Sequence, residues 1–406
     1  MEVSIMAKTL VYQMYPISWE NNHGSAIACM TEHVKRIKNL NVDYIWLNPI
    51  YHSPRFDFGY DISDYYEIDT RFGTPEEFKE LVKTAHKYGI GVLMELVLNH
   101  TSTEHTWFED IPEYYCWSEK SHKGWKNFFN GEPAWKYDRA RRQYYLHSFQ
   151  QHQADLNWFP GGALNQDLVY EFHRIVDYWV NSYQIDGFHL GKIQYLNKDF
   201  SVKTLDEFHL CHTYQAAEII NAVFHGFENL FLTASLINTD GKDDIEYYTQ
   251  DTPINFVMGN WAETQPWHHS KWQASRNLEI LCSHPAYMTN LVSSDVSLSD
   301  MLSWMFSNNE GACLYQGQEL GLESSNTPDA CTPLPLAEYT RQEQDPDSRL
   351  NFVKEWIKDW RNPEKYYSSV FHLFREKKEA HPRAHSEEYY RNFFRTHTKK
   401  WSTACW

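Results

Sequence analysis

Short apolar runs alternate along the chain with segments whose apolar residues recur at helical spacing. Thr9 to Tyr15 predicts a strand, Ala26 to Asn39 a helix, Tyr44 to Leu47 a strand, Pro75 to Tyr88 a helix, and Gly91 to Leu98 a strand. This alternation is the mark of βα units built around a parallel sheet. Thr74-Pro75-Glu76-Glu77 supplies an N-cap, a proline at the first helical position and acids in the first turn, and Gly89 supplies the stop. Residues 101 to 165 break the rhythm: they are rich in Trp, Tyr, His, Lys and Gly with no regular period. Leu168 to Asn181 resumes as a helix, followed by a strand at Gly187-Phe188-His189-Leu190. Further strands are expected at Leu230 to Ala234, Ile254 to Met258, Leu278 to Leu281 and Ala312 to Tyr315. Eight strands with intervening helices, and no Gly-rich phosphate loop after the first, favour a closed (β/α)8 barrel of the TIM type over an open doubly wound sheet. Chemistry is then expected at the C-terminal strand ends: at Asn99-His100, after Phe188, after Leu232 and around His284.

Composition narrows the partners. A net charge of −17 leaves no electrostatic footprint for nucleic acid or an anionic membrane surface, and a neutral partner is favoured. Aromatic residues make up 16% of the chain, which tilts the reading towards sites that stack on flat apolar faces, sugar rings included. The seven cysteines, at Cys29, Cys116, Cys211, Cys282, Cys313, Cys331 and Cys405, show no CxxC spacing, so neither a disulfide framework nor a zinc ribbon is expected. No basic-then-apolar leader precedes Leu10, and no run approaches the roughly 20 apolar residues of a membrane span; a reducing, cytoplasmic compartment is expected.

Six motifs in collinear order carry a resemblance: Val11-Tyr12-Gln13-Met14-Tyr15-Pro16, Trp46-Leu47-Asn48-Pro49-Ile50-Tyr51, Gly59-Tyr60-Asp61-Ile62-Ser63-Asp64-Tyr65-Tyr66, Glu95-Leu96-Val97-Leu98-Asn99-His100-Thr101-Ser102, Ile185-Asp186-Gly187-Phe188 and Leu314-Tyr315-Gln316-Gly317-Gln318-Glu319. Over residues 9 to 382 the chain resembles the α-amylase family of glycoside hydrolases, in particular its oligo-1,6-glucosidase, dextran glucosidase and trehalose-metabolising branch. The resemblance implies that residues 1–100 begin the barrel, 101–165 form a small inserted domain after strand three, and 166–382 complete the barrel. Residues 383–406 then form a short tail, with the C-terminal β-sandwich of the family missing or vestigial.

Retaining hydrolysis needs a nucleophilic carboxylate and a carboxyl acid/base, and the family adds a third carboxylate that holds sugar hydroxyls. Where the family pattern reads Gly-Phe-Arg-Met/Leu-Asp, with the nucleophile last, this chain reads Gly187-Phe188-His189-Leu190-Gly191. Where it reads Leu-Thr-Val-Gly-Glu, with the acid/base last, this chain reads Leu232-Thr233-Ala234-Ser235-Leu236. The third motif, Asn-His-Asp-Gln-Pro-Arg, becomes Ser283-His284-Pro285-Ala286-Tyr287-Met288. Gly191, Leu236 and Pro285 thus stand at the three carboxylate positions. Residues 187–195, 233–239 and 280–290 hold no Asp or Glu, so a small shift in register restores none of them. Asp186 lies on the wrong side of Gly187, and Asp240 lies about 13 Å further along an extended strand.

The first loop of close relatives, roughly Asp-x-Asn-x-Asp-x-x-x-Asp, suits calcium. Here the positions carry Asn21, His23, Ser25 and Cys29, so no calcium and no other cofactor is expected, and His23 with Cys29 alone does not make a zinc site. On the sugar-holding side Tyr60, Asp61, His100 and His284 match the family. They read either as a residual binding pocket or as scaffold. His189 and Met288 replace its arginines, Glu95 stands where it has Asp, and Lys192 is placed on the outer face by strand alternation. The aromatic, His-rich stretch Trp107 to His152 reads as an adhesive surface or as the ordinarily irregular and aromatic insert that the resemblance implies, and Glu338 to Lys365 as a solvated helix face. The leading expectation is a non-catalytic barrel with weak affinity for a glucose-terminated oligosaccharide, or with a regulatory or assembly role that involves a protein partner or a second copy. A glucosidase, isomerase or transglycosylase that uses unrecognised groups stands as an alternative, as does a truncated paralogue without function.

Overall fold

A computed structural model describes residues 8–20, 24–128, 131–196, 198, 215–236, 242–260, 287–290, 311–321 and 336–362. Eight parallel strands close on themselves: β1 (Thr9–Met14), β2 (Tyr44–Leu47), β3 (Gly91–Leu96), β4 (Gly187–Leu190), β5 (Phe231–Leu236), β6 (Phe256–Asn260), β7 (Tyr287–Asn290) and β8 (Gly311–Tyr315). Each strand pairs with its neighbours in sequence, and β1 pairs with β8 through Thr9 opposite Gly311 to Gln13 opposite Tyr315, which seals the barrel. The strands β1 to β5 and β8 are buried on both faces, as parallel strands wrapped by helices must be, and so they read as continuous apolar runs rather than alternating ones. Val11, Trp46, Leu93, Phe256, Met258 and Cys313 fill the interior.

The helices α1 (Ala26–Lys38), α2 (Pro75–Lys87), α3 (Gln166–Tyr183), α4 (Gln215–Val223) and α5 (Lys242–Asp251) alternate with β1 to β6, and α6 (Leu336–Gln344) and α7 (Arg349–Trp360) both follow β8. The expected start of α2 forms a complete capping box: Thr74 Oγ1 accepts from the Glu77 backbone N–H, and the Glu77 side chain accepts from the Thr74 N–H. Ser25 caps α1 by accepting from Ala28 N at 3.0 Å, and Cys29 lies half-buried within that helix. Two of the four first-loop positions considered for a cation therefore serve a helix start, while Asn21 and His23 lie outside the described residues. Cys116 and Cys313 are free thiols.

Between β3 and β4 the chain forms small antiparallel sheets, among them Trp117–Ser118, Trp135–Asp138 and Gln143–Leu146. Many aromatics of this stretch turn inward, although Tyr137 stays exposed: Cys116, Trp125, Trp135, Leu146 and Phe149 build a small core with Tyr195 from beyond β4. That accounts for the Trp and Tyr richness as packing rather than an adhesive face. Arg341 pairs with Glu338 and Lys358 with Glu355 on exposed helix faces, while Tyr339, Val353, Ile357 and Trp360 are buried beneath.

Two expectations need correction. The seventh strand is Tyr287–Asn290, in register with Val257 to Asn260 of β6, so Met288 lies within a strand rather than after one; Leu278 to Leu281, His284 and Pro285 lie outside the described residues. Lys192 does not continue the alternation of β4. Its φ of +50° turns the chain out of extended geometry, and its ammonium lies 3.9 Å from the Phe128 ring centroid and 5.8 Å from that of Phe149, on the side of the insert. The expectation for residues 383–406 also falls outside the described residues, and no helix among the described residues is long and apolar enough to cross a membrane.

Candidate sugar site at the C-terminal end of the barrel

The C-terminal halves of β2, β3, β4 and β5 bring Trp46, Glu95, His189, Gly191 and Thr233 towards one another, while Leu236 belongs to the main hydrophobic core with Leu232 and Ala234. Glu95 lies opposite His189 in the β3–β4 register. Its carboxyl Oε2 accepts from Trp46 Nε1 at 2.9 Å, and the Trp46 ring lies 3.8 Å, centroid to centroid, from His189. His189 Nδ1 in turn is 2.9 Å from Thr233 Oγ1. The extra methylene that Glu95 carries relative to Asp is absorbed at Gly191: a Cβ on residue 191 would lie 2.7 Å from Glu95 Oε1. Glutamate on one strand thus fills the volume that glycine leaves empty on the next.

Burial dominates the protonation of these groups. Desolvation pushes the Glu95 carboxyl up to about 8, against the opposing pull of the Trp46 hydrogen bond and the Lys192 ammonium. Burial holds the His189 imidazole down at about 3. A protonated carboxyl and a neutral imidazole therefore stand here at neutral pH. Leu236, at the end of β5, is buried and apolar, while Ser235 Oγ accepts from the Lys192 backbone N–H at 2.9 Å.

The sugar-side residues come from the loop between β2 and α2 and from the end of β3. Asn48 Nδ2 donates to the Tyr60 hydroxyl at 2.8 Å, and Gln13 Nε2 donates to Asn48 Oδ1 at 2.8 Å. The phenol keeps its own proton, held well above its usual range by burial and by the nearby Glu95 carboxyl. Asp61 is fully buried, and both its oxygens serve its own loop: Oδ1 accepts from Ser53 Oγ and Asp57 N, each at 3.0 Å, and Oδ2 accepts from Phe56 N at 2.9 Å. His100 is tied on both sides, with Nε2 3.1 Å from Tyr60 O and Nδ1 3.2 Å from Asn99 Nδ2, and burial lowers it to about 4. Tyr60, Asp61 and His100 are therefore brought together, and of the three Tyr60 has a polar hydrogen left to offer.

One cluster was not anticipated from the sequence. Lys198 Nζ donates to Asn99 Oδ1 at 2.8 Å and to Asp155 Oδ2, and Asp155 also accepts from Ser148 N at 2.9 Å, from Ser148 Oγ and from Asn99 Nδ2. This buried ion pair stitches the insert to the strand ends. Neither the separation of Lys198 from Asp155 along the chain nor the irregular sequence between them signals the contact.

Residues 13–259 match the family model described as alpha amylase, catalytic domain. The trehalose-6-phosphate hydrolase of Bacillus subtilis (strain 168) is 41% identical over 208 residues, covering 47% of this chain and 36% of that protein. The oligo-1,6-glucosidase of Bacillus cereus is 35% identical over 221 residues, covering 51% and 38% respectively. The matched segment thus spans little more than a third of these curated relatives. Among solved structures, a point mutant of the trehalose-6-phosphate hydrolase of Bacillus licheniformis, in complex with PNG, superposes with a TM-score of 0.75 at 23% identity, covering 89% of this chain and 84% of that one. A second structure of that hydrolase gives 0.68 at 26% identity, covering 87% and 73%.

Proposed function

The chain belongs to the alpha-amylase family through its catalytic domain, and from that premise we propose that it is a barrel of the family that binds a glucose-terminated saccharide weakly without cleaving the glycosidic bond. The observation that carries this reading is the pair at the strand ends: Gly191 stands where the family motif places its nucleophile, and the carboxyl nearest to it, Glu95, is buried, protonated and bound to Trp46. A protonated carboxyl does not attack an anomeric carbon. Leu236, at the acid/base position of the motif, has no proton to give a leaving oxygen. General acid–base catalysis alone supplies on the order of 10²–10⁴-fold in rate, and covalent catalysis adds to it.

What favours binding is the Tyr60 hydroxyl, which accepts from Asn48 and keeps its own hydrogen to offer, beside the protonated Glu95 and the neutral His100, a set that suits an uncharged polyol. With few charge-assisted donors, affinity is expected near 1 mM, or about −4 kcal/mol. A calcium ion is not part of this reading, since Ser25 and Cys29 belong to a helix start. Ligand-observed NMR with glucose, maltose, isomaltose and trehalose tests the proposal: binding without release of glucose supports it, and hydrolysis of any member of the panel overturns it.

A further inference from the structure

Glu95 has one oxygen that the fold uses and one that it does not. Oε2 is fixed by the Trp46 indole, which is itself set against His189, so the plane of the carboxyl is determined. Among the described residues no donor or acceptor meets Oε1, although Glu95 is only 2% exposed. That oxygen extends into the space beside Gly191. A carboxyl oxygen that the surrounding side chains leave without a partner is open to a water or a ligand. Its surroundings point to the ligand's chemistry. With Oε2 accepting from Trp46, the carboxyl proton resides on Oε1, so the free oxygen presents an O–H donor that also accepts. Tyr60, whose phenol is held in its neutral form by burial above all, presents a second O–H in the same region. Two neutral hydroxyl-type groups are matched by the vicinal hydroxyls of a pyranose, not by an anion.

We infer that in this chain the Glu95 carboxyl, reaching from β3 into the space that Gly191 leaves open beside β4, is the group that hydrogen-bonds the bound sugar where the family motif would place the residue-191 carboxylate. The inference rests on the saccharide-binding reading above and assigns its principal contact. Glu95 is a binding residue in this account, and no bond is made or broken. A side chain at residue 191 has to displace Oε1 from this space.

The test is a titration of the full chain with glucose and isomaltose by ligand-observed NMR, with Trp46 emission as a second readout, for wild type, Glu95→Gln, Glu95→Ala and Gly191→Ala, each checked by near-UV circular dichroism. Wild type is expected to bind. Glu95→Gln, which keeps a donor and an acceptor, is expected to bind within about threefold of wild type, whereas Glu95→Ala loses about tenfold or more. Gly191→Ala perturbs the same contact from the opposite strand, so it too is expected to weaken binding, with Glu95 unaltered in sequence. Wild-type binding that persists unchanged in Glu95→Ala and Gly191→Ala would mean that a water fills the gap, which overturns this inference and leaves the binding reading intact. Absence of binding in wild type overturns both.

Discussion

Glu95 and Gly191 divide one volume between two adjacent strands: Oε1 of the first lies 2.7 Å from the point a Cβ on the second would occupy. Neither residue can be changed without reference to the other. Gly191→Asp alone forces two carboxyls into one dry space and is expected to cost about 1–3 kcal/mol. Glu95→Asp alone opens a gap and costs about 1 kcal/mol. Made together they restore volume, so the double variant should lose at least about 1 kcal/mol less than the sum of the two. Urea denaturation of the four proteins reads this coupling directly, and additive losses would show that the carboxyl moves aside freely.

Stability should fall as pH rises through the neutral range because of the same carboxyl. Its folded value, about 8, lies above the ordinary carboxyl value of 4.5, so between those limits the folded state holds a proton that the unfolded chain has released. The stabilisation is complete below 4.5 and is lost as pH rises to about 8. Replacing Glu95 by Gln removes this contribution, and the slope of unfolding free energy between pH 5 and 8 should flatten by about 1.4 kcal/mol per unit. Glu319, raised to about 7 by burial beside Tyr12, retains its own share in both proteins, so the difference between them isolates Glu95.

Asp61 acts first on its own loop. Its oxygens receive Ser53 Oγ, Phe56 N and Asp57 N, so Asp61→Ala should lower stability by about 2–4 kcal/mol. Thermal and urea melts check this; a variant as stable as wild type would mean that the loop is held by other contacts.

Lys198 compensates a buried carboxylate at the junction of insert and barrel. Lys198→Met strands Asp155 and is expected to cost about 3–5 kcal/mol. With an ammonium already on Asp155 and Asn99, millimolar calcium or a chelator should leave the wild-type melting temperature unchanged within about 1 °C. A drop of several degrees on chelation would reveal a cation elsewhere.

The barrel is legible in the sequence because strand burial and helix amphipathicity are local patterns: the runs at Leu10 to Met14 and Val92 to Leu96, and the Thr74–Glu77 cap, need no tertiary knowledge. The seventh strand is not, because Leu278 to Leu281 and Tyr287–Asn290 are both short and strand-compatible, and pairing with β6 selects between them. Lys192 escapes because one left-handed residue cancels the two-residue alternation that placed it outside. The Glu95–Gly191 exchange is half visible: each departure from the family motif is plain in the chain, and only the register that sets His189 opposite Glu95 shows that they compensate. Asp155 and Lys198 meet through the folding of the insert, for which the sequence carries no period.

The most direct measurement of the central claim is turnover. Purified full chain, freed of contaminating glucosidase, is incubated with isomaltose, trehalose 6-phosphate and an aryl α-glucoside, and released glucose or aglycone is followed over hours. The account predicts product at the rate of the protein-free control for every substrate, because neither a nucleophile nor an acid/base stands at positions 191 and 236. Hydrolysis at about 1 s⁻¹ or faster, within the ordinary range of enzymes, would contradict it.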